Sequence, residues 1–368
     1  MIWHPMMHPY DDSQIKIVRA SAEILYTSDG REIIDSISSW WAGIHGHCHP
    51  KIMEAIRKQS HDLDHVIFAG FTHDSAEILS KKIMDMTDHA FEKIIFSDNG
   101  SNAIDISIKL SYQYFQNKDQ KKKKKFILFS DSYHGDSIGA MSIGGKSAFN
   151  RIFESLFFET IEFESPNCTK CPLQKNPKTC QVECLNPVVD MISSNHEELV
   201  GMCVEPIVMG ANGMVFYDPK VLVRLREICD RYDLLLIFDE VFTGFGRLGE
   251  LFAYQKASVT PDIMAVAKGL SGGTLPIALT IVNQRVTEGF RSEDPSKLFL
   301  HGHTMAGNPL ACSAAVASCD LTLQALPKLA TLETQLLEMS NRLTDQFAEK
   351  IEYPRVLGSI FAFELKES

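Results

Sequence analysis

Residues Leu234 to Gly273 read LLLIFDEVFTGFGRLGELFAYQKASVTPDIMAVAKGLSGG. The stretch opens on an unbroken apolar run, Leu234 to Phe238, and then meets two acids, Asp239 and Glu240. Such a run is expected to be a strand buried on both faces, as in an α/β sheet. Thr260-Pro261-Asp262 marks a turn. Ile263 to Ala267 is then a second short apolar strand, and it delivers Lys268. An acid and a lysine thus leave two strand ends, at the carboxyl edge where open α/β sheets bind ligands. A lysine among apolar residues is a candidate for Schiff-base chemistry. An acid at the same edge is a candidate partner for a protonated pyridine nitrogen. The same pair also suits an α/β domain that ends its strands in charges for solubility, so the rest of the chain has to decide.

Strand and helix patterns alternate from about residue 90 to 270, which is the pattern of a mainly parallel sheet covered on both faces. Ile94 to Phe96 is a strand, Ser97 to Asn102 (SDNGSN) a turn, and a helix follows with Ile104, Ile108, Tyr112 and Phe115 on one side. A strand, a small polar turn and a helix present backbone N–H groups to a phosphate, with Gly100, Ser101 and Asn102 as donors. The same residues are also ordinary helix-cap chemistry. Phe126 to Phe129 is the next strand, and its end carries Ser132-Tyr133-His134-Gly135-Asp136. Tyr133 can stack on a planar ring with His134 orienting it, or be an edge tyrosine of the core. Leu199 to Val204 is a strand ending in Glu205. Right-handed crossovers bring these strand ends to one edge, so Gly100, Tyr133, Glu205, Asp239 and Lys268 converge.

The flanks are less regular. Residues 1–14 form an arm. Ile15 to Tyr26 and Glu32 to Ile37 read as two strands about the turn Thr27 to Gly30. Trp40 and Trp41 are adjacent in a segment too irregular for a helix, so one ring is expected at a cavity or interface. His45, His47 and His49 invite a metal but lack further ligands, and loop packing is preferred. Lys121 to Lys125 is read as a solvated loop. Cys168-x2-Cys171 with Cys180-x3-Cys184 is a candidate structural zinc site, against free thiols or an oxidation-prone cluster; no metal is expected in the catalytic centre. A small apolar helix starts at Pro309, a more polar one spans about 328 to 349, and Arg355 to Leu365 reads as one strand.

The chain has 368 residues, enough for more than one domain. Its charge of −11, from 36 basic and 47 acidic residues, argues against a nucleic-acid or anionic-membrane partner. No apolar run approaches a membrane span, and residues 1–12 lack the pattern of a signal peptide. Nine cysteines without secretory features fit a reducing compartment, and a cytoplasmic location is expected.

Together these residues resemble the class III aminotransferases. The resemblance is carried by Ile2-Trp3-His4-Pro5, Ser38-Ser39-Trp40-Trp41, His45-Gly46, Asp98-Asn99-Gly100-Ser101, Ser132-Tyr133-His134-Gly135-Asp136 and Glu205-Pro206. It continues through Asp239-Glu240-Val241, Thr243-Gly244-Phe245-Gly246-Arg247, Lys268-Gly269 and His301-Gly302-His303-Thr304. It implies an aspartate-aminotransferase-like fold type I enzyme that uses pyridoxal 5'-phosphate. The large domain would hold a mainly parallel seven-stranded sheet beside a smaller α+β domain. The expected division is an arm with part of the small domain over 1–50, a cofactor domain over 51–305, and an incomplete small domain over 306–368, since relatives continue well beyond Leu365. It implies a homodimer with active sites at the subunit interface.

The implied roles are Lys268 as Schiff-base lysine and proton carrier, Asp239 at the ring nitrogen, and Tyr133 against the ring. Gly100 and Ser101, with Thr304 from the partner subunit, would hold the phosphate, and Glu205 would border the cofactor. Trp40, Trp41, Asp136, Arg247, Gly302 and His303 would form the substrate side. The tryptophan pair with Tyr133-His134-Gly135-Asp136 narrows the implied reaction to transamination of 8-amino-7-oxononanoate to 7,8-diaminononanoate in biotin synthesis, with S-adenosylmethionine as amino donor. Met6 stands where relatives usually carry an aromatic, which keeps lysine open as donor. The family's arginine for the substrate carboxylate has no counterpart in this sequence. Another class III ω-aminotransferase and a degenerate non-catalytic homologue are the remaining alternatives.

Overall fold

The structure, a computed structural model, describes residues 2–176 and 179–366. Pro177 and Lys178, within the cysteine-bearing stretch, lie outside it. Three strands, β1 (Ile17–Ser21), β2 (Ile24–Thr27) and β3 (Glu32–Ile34), form a small antiparallel sheet. The expected single strand over Ile15 to Tyr26 is therefore two, broken at Ala22, whose φ is +50°. Helices Pro50–Asp62 and Asp74–Met86 follow. Next come β4 (Lys93–Ser97), helix Gly100–Asn117, β5 (Lys125–Phe129), β6 (Thr160–Phe163), helix Asn186–Asn195 and β7 (Leu199–Val204). A short hairpin, β8 (Val208–Met209) and β9 (Val215–Phe216), leads to helix Lys220–Arg231. Then come β10 (Leu235–Asp239), β11 (Ile263–Val266), β12 (Ala278–Val282), helix Pro309–Gln346, β13 (Ile351–Leu357) and β14 (Ile360–Leu365).

Seven strands make the central sheet in the order β4-β12-β11-β10-β7-β5-β6. Strand β12 runs antiparallel to both its neighbours; the remaining pairs are parallel. The alternation of side chains along a strand explains why β10 is apolar throughout. Leu234, Leu236 and Phe238 enter one core layer, and Leu235 and Ile237 enter the layer on the opposite face. All are fully buried, and each such burial contributes about 1.5–3 kcal/mol. Asp239 lies opposite Ala265 in the β10–β11 register, so Lys268 follows just beyond the same sheet edge.

Helix Pro309–Gln346 passes through Pro327 without ending, so the two helices expected here are one. It is long and apolar enough to cross a membrane by length and composition. Its apolar face is instead taken up by helices Pro50–Asp62 and Asp74–Met86, against which it packs. The C-terminal segment is a hairpin rather than one strand, with Leu357 paired to Ile360 across its turn.

The lysine run is also corrected. Lys123 is buried, and its Nζ donates to the carbonyls of His196, Leu199 and Asp233 at 2.9, 3.0 and 3.0 Å. Burial lowers its pKa to about 8. Three carbonyl acceptors satisfy all three donors of an ammonium, which is what permits it inside. The histidines of residues 45–49 serve packing: His45 Nε2 meets Ser318 O at 3.0 Å, His47 pairs with Asp35 at 2.7 Å, and His49 caps a helix.

Candidate active site

Lys268 is held at φ +45°, a left-handed conformation that costs a non-glycine residue of the order of 1–3 kcal/mol. The backbone turns there immediately after β11, and this aims the side chain into a cavity of about 680 Å³. Its Nζ lies 5.0 Å from the ring centre of Trp41 and 5.9 Å from that of Phe242. Burial lowers the pKa of Lys268, against the pull of Asp239 and Glu205. The neutral amine is thereby favoured at lower pH than in solution.

Asp239 enters the same cavity from β10. Its Oδ1 accepts from the Val241 N–H at 3.0 Å, and its Oδ2 meets His134 Nδ1 at 2.7 Å. His134 is buried, with Cys203 Sγ 3.8 Å from the same nitrogen. Burial works against the imidazolium of His134, but Cys203 and the Asp239 carboxylate beside it together outweigh burial and raise the pKa well above the ordinary value. The sequence reading placed His134 beside Tyr133 as its orienter. The structure turns it the other way, because alternate residues after β5 face opposite sides of the chain.

Tyr133 is oriented instead by Glu205 and Asp136. The Tyr133 N–H donates to Glu205 Oε1 at 2.9 Å, and the phenol donates to Asp136 Oδ1 at 3.1 Å. Burial, then Asp136, raises the pKa of that phenol. Glu205 Oε2 also accepts from the Gly210 N–H at 2.9 Å, and burial raises this carboxyl to about 7. Replacing Glu205 with Gln should leave one of these two N–H groups facing an amide NH2, at a cost of about 1–3 kcal/mol. It should also remove a charge that holds the Lys268 ammonium. The pKa of Lys268 then falls further, and the acid limb for aldehyde capture by its amine moves to lower pH. Absorbance-monitored capture of an aromatic aldehyde across pH checks this; a limb moving to higher pH contradicts it.

The helix Gly100–Asn117 begins at this edge. Asn99 caps it, accepting from the Asn102 N–H at 2.9 Å. The first-turn N–H groups of Gly100 and Ser101 have no acceptor within the helix and suit an anion. A side chain at Gly100 would place its Cβ 2.9 Å from Val241 Cγ1, so glycine keeps this cradle open. Gly135, at φ +121°, lies so close to Ser101 that any Cβ there would collide with its hydroxyl.

Trp40 and Trp41 line the cavity. Ser38 to Trp41 all have positive φ, at 49°, 47°, 57° and 66°, a left-handed turn costing roughly 1–2 kcal/mol per residue. The turn separates the rings: Trp40 is exposed, while Trp41 packs edge-on against Phe242 with centroids 4.9 Å apart. Asp136 also lines the cavity, as does Met6.

Arg247, Thr304, Gly302 and His303 are not among the lining residues. Arg247 stands behind Trp41, whose carbonyl accepts from its Nη2 at 2.8 Å. It therefore holds the left-handed turn from behind the cavity wall. Burial lowers its pKa to about 10. Thr304 and Gly302 are exposed, and His303 Nε2 stands 3.7 Å from Asp98. Sequence reasoning missed Phe242, Val241 and the His134–Asp239 pair. The apolar residues directly after Asp239 were the available sign for the first two.

The chain matches the family model described as aminotransferase class-III over residues 6–368. Among its relatives is the adenosylmethionine-8-amino-7-oxononanoate aminotransferase of Geobacter sulfurreducens, 39% identical over 325 residues, covering 87% of this chain and 72% of the relative. The protein of the same description from Synechococcus elongatus is 37% identical, covering 99% and 84%. An amine transaminase from an uncultivated Pseudomonas species, solved in its PLP-bound form, superposes with a TM-score of 0.94 at 28% identity, covering 100% of this chain and 84% of that one. The adenosylmethionine-8-amino-7-oxononanoate aminotransferase of Methanocaldococcus jannaschii gives 0.89 at 31%, covering 99% and 82%.

Proposed function

The chain belongs to the class III aminotransferases, and from that premise we propose that it transfers an amino group to 8-amino-7-oxononanoate, giving the 7,8-diaminononanoate of biotin synthesis. The cofactor is pyridoxal 5'-phosphate. One observation carries the reading: Lys268, Asp239 and the first turn of helix Gly100–Asn117 all open into one cavity, an amine, a carboxylate and an anion cradle together. The reaction and acceptor are those for which the relatives are named. The residues fit the cofactor: the Gly100 cradle suits a phosphate, and Asp239 suits a protonated ring nitrogen.

When bound, pyridoxal 5'-phosphate supplies the aldehyde that carries the amino group between substrates and the ring that accepts electrons as a C–H bond breaks. Lys268 takes the proton from the substrate carbon on Nζ and returns it, a task helped by its lowered pKa. Asp239 would hold a proton at the ring nitrogen. Gly100 and Ser101 would bind the phosphate through N–H groups. Tyr133, fixed by Glu205 and Asp136, would lie against the ring, and the tryptophans would wall the substrate side. Two substrates sharing one site give ping-pong kinetics.

A homodimer with shared active sites fits the exposure of Leu298, Leu300 and Met305 beside the equally exposed Thr304. Thr304 would then serve the cavity of the partner subunit. We place the reaction in the cytoplasm, which fits nine cysteines without a disulfide among the described residues.

S-adenosylmethionine is the proposed donor. Lysine is the second reading, favoured by Met6 at the cavity wall. Replacing Met6 with Tyr should raise the ratio of kcat/KM for S-adenosylmethionine over lysine by roughly tenfold, the worth of one added aromatic contact of about 1.4 kcal/mol. An unchanged ratio removes Met6 from donor choice. The deciding assay measures 7,8-diaminononanoate formation with each donor, and no product from either would end the proposal.

A further inference from the structure

After β6 ends at Phe163 the chain runs to Val182 with no regular strand or helix among its described residues. A loop this long inside a compact domain needs something to hold it. Cys168, Cys171, Cys180 and Cys184 lie in or directly after it, and all four line one small cavity of about 30 Å³. That is room for one small ion or water. None of the four is in a disulfide. We propose that these four cysteines form a structural zinc site that braces the loop.

The chemistry is selective. Four thiolates suit a soft, tetrahedral ion, and the paired Cys-x2-Cys and Cys-x3-Cys spacing supplies two ligands from each end of the loop; the Cys180 thiol, which donates to Glu183 Oε2 at 3.5 Å, has to leave that oxygen to bind. Two sulfurs already accept backbone hydrogen bonds. The Asp218 N–H donates to Cys168 Sγ, and the Val182 N–H donates to Cys180 Sγ, each at 3.3 Å. Such N–H donors stabilise a metal-bound thiolate. Lys175 and Lys220 line the same cavity together with Asp218, and Lys175 is already paired with Glu183 at 3.0 Å, so the lysines offset only part of the net −2 charge of a zinc with four thiolates. As the side chains now stand, no group of three ligands among the described residues is close enough to hold an ion. Closure therefore requires the thiols to rotate. Cys168 is exposed and Cys171, Cys180 and Cys184 are only partly buried, so rotation is not opposed by tight packing. Four thiols lose four protons to solvent as one Zn²⁺ binds.

The brace would bear on the active site. The Cys168 N–H donates to Phe216 O at 2.8 Å, tying the loop to the β8–β9 hairpin. From that hairpin Asn212 Nδ2 donates to Asp131 O at 3.1 Å, and Ala211 lines the large cavity.

The test is elemental analysis of the full chain purified from zinc-supplemented cells without chelator. The expected result is about one zinc per chain. It should be lost in C168S/C171S and in C180S/C184S. Because either variant could fold poorly, the unmodified chain is also stripped and titrated with Co²⁺, which should give thiolate-to-cobalt charge-transfer absorption at one equivalent, and with Zn²⁺, which should release protons. Zinc in the wild type no higher than in the variants, iron with sulfide in its place, or no charge-transfer band would each overturn the proposal.

Discussion

Lys268→Ala should lower transamination by at least about 10³-fold, because the variant loses both the amine that captures the cofactor and the base that moves the proton; base removal alone accounts for 10²–10⁴. That is roughly 4 kcal/mol of barrier. The fold should survive. Lys268 is partly buried and its nearest ring centres are aromatic faces, so alanine removes a charge from a poor environment. Alanine would inherit the positive φ of 45°, so backbone strain stays as it was. Lys268→Gly, free of that strain, should be the more stable variant by about 1 kcal/mol. Two measurements separate chemistry from folding. Thermal melting should show no large loss, and added small primary amines should restore part of the proton transfer in the alanine variant. Transamination within tenfold of wild type would remove Lys268 from the centre of the mechanism.

The lysine and its acid were legible because their strands are buried on both faces. A run such as Leu234 to Phe238 has few other uses, and a charge directly after it must lie at the sheet edge. Convergence of Tyr133 and Glu205 on that edge followed from the same logic. Three kinds of feature were not legible. Strand β12 is antiparallel and follows a turn rather than a helix, so alternation of strand and helix gives no sign of it. Lys123 sits in a run of lysines, and nothing local distinguishes the one whose ammonium meets three carbonyls from its solvated neighbours. The His134–Asp239 pair joins residues from β10 and the turn after β5, strands separated by β7, so it depends on spatial order alone. Arg247 has a similar history: its motif is visible in sequence, but its place behind Trp41 is set by a left-handed turn that no propensity foretells.

Asp239→Asn should lower kcat by about 10²–10³-fold, the range for losing one pre-set electrostatic partner. The hydrogen bonds around Asp239 show why asparagine is a poor mimic. The Val241 N–H donates to Oδ1, so that position must stay an oxygen. The new NH2 group then faces His134 Nδ1, where Oδ2 was. His134 has to accept there, so the imidazolium gives up its Nδ1 proton and stays protonated at Nε2, which is buried and has no partner among the described residues. A charge-assisted bond to a buried carboxylate, worth about 1.5–3 kcal/mol, becomes a neutral one, so the variant should be less stable as well as slower. The two effects can be pulled apart by Asp239→Asn combined with His134→Leu, which removes the polar ring altogether. The double variant should regain most of the stability, read from denaturant unfolding, yet remain as slow as Asp239→Asn alone. Recovery of activity together with stability would mean that the carboxylate serves only to keep His134 in place, and that nothing at position 239 acts on the cofactor ring.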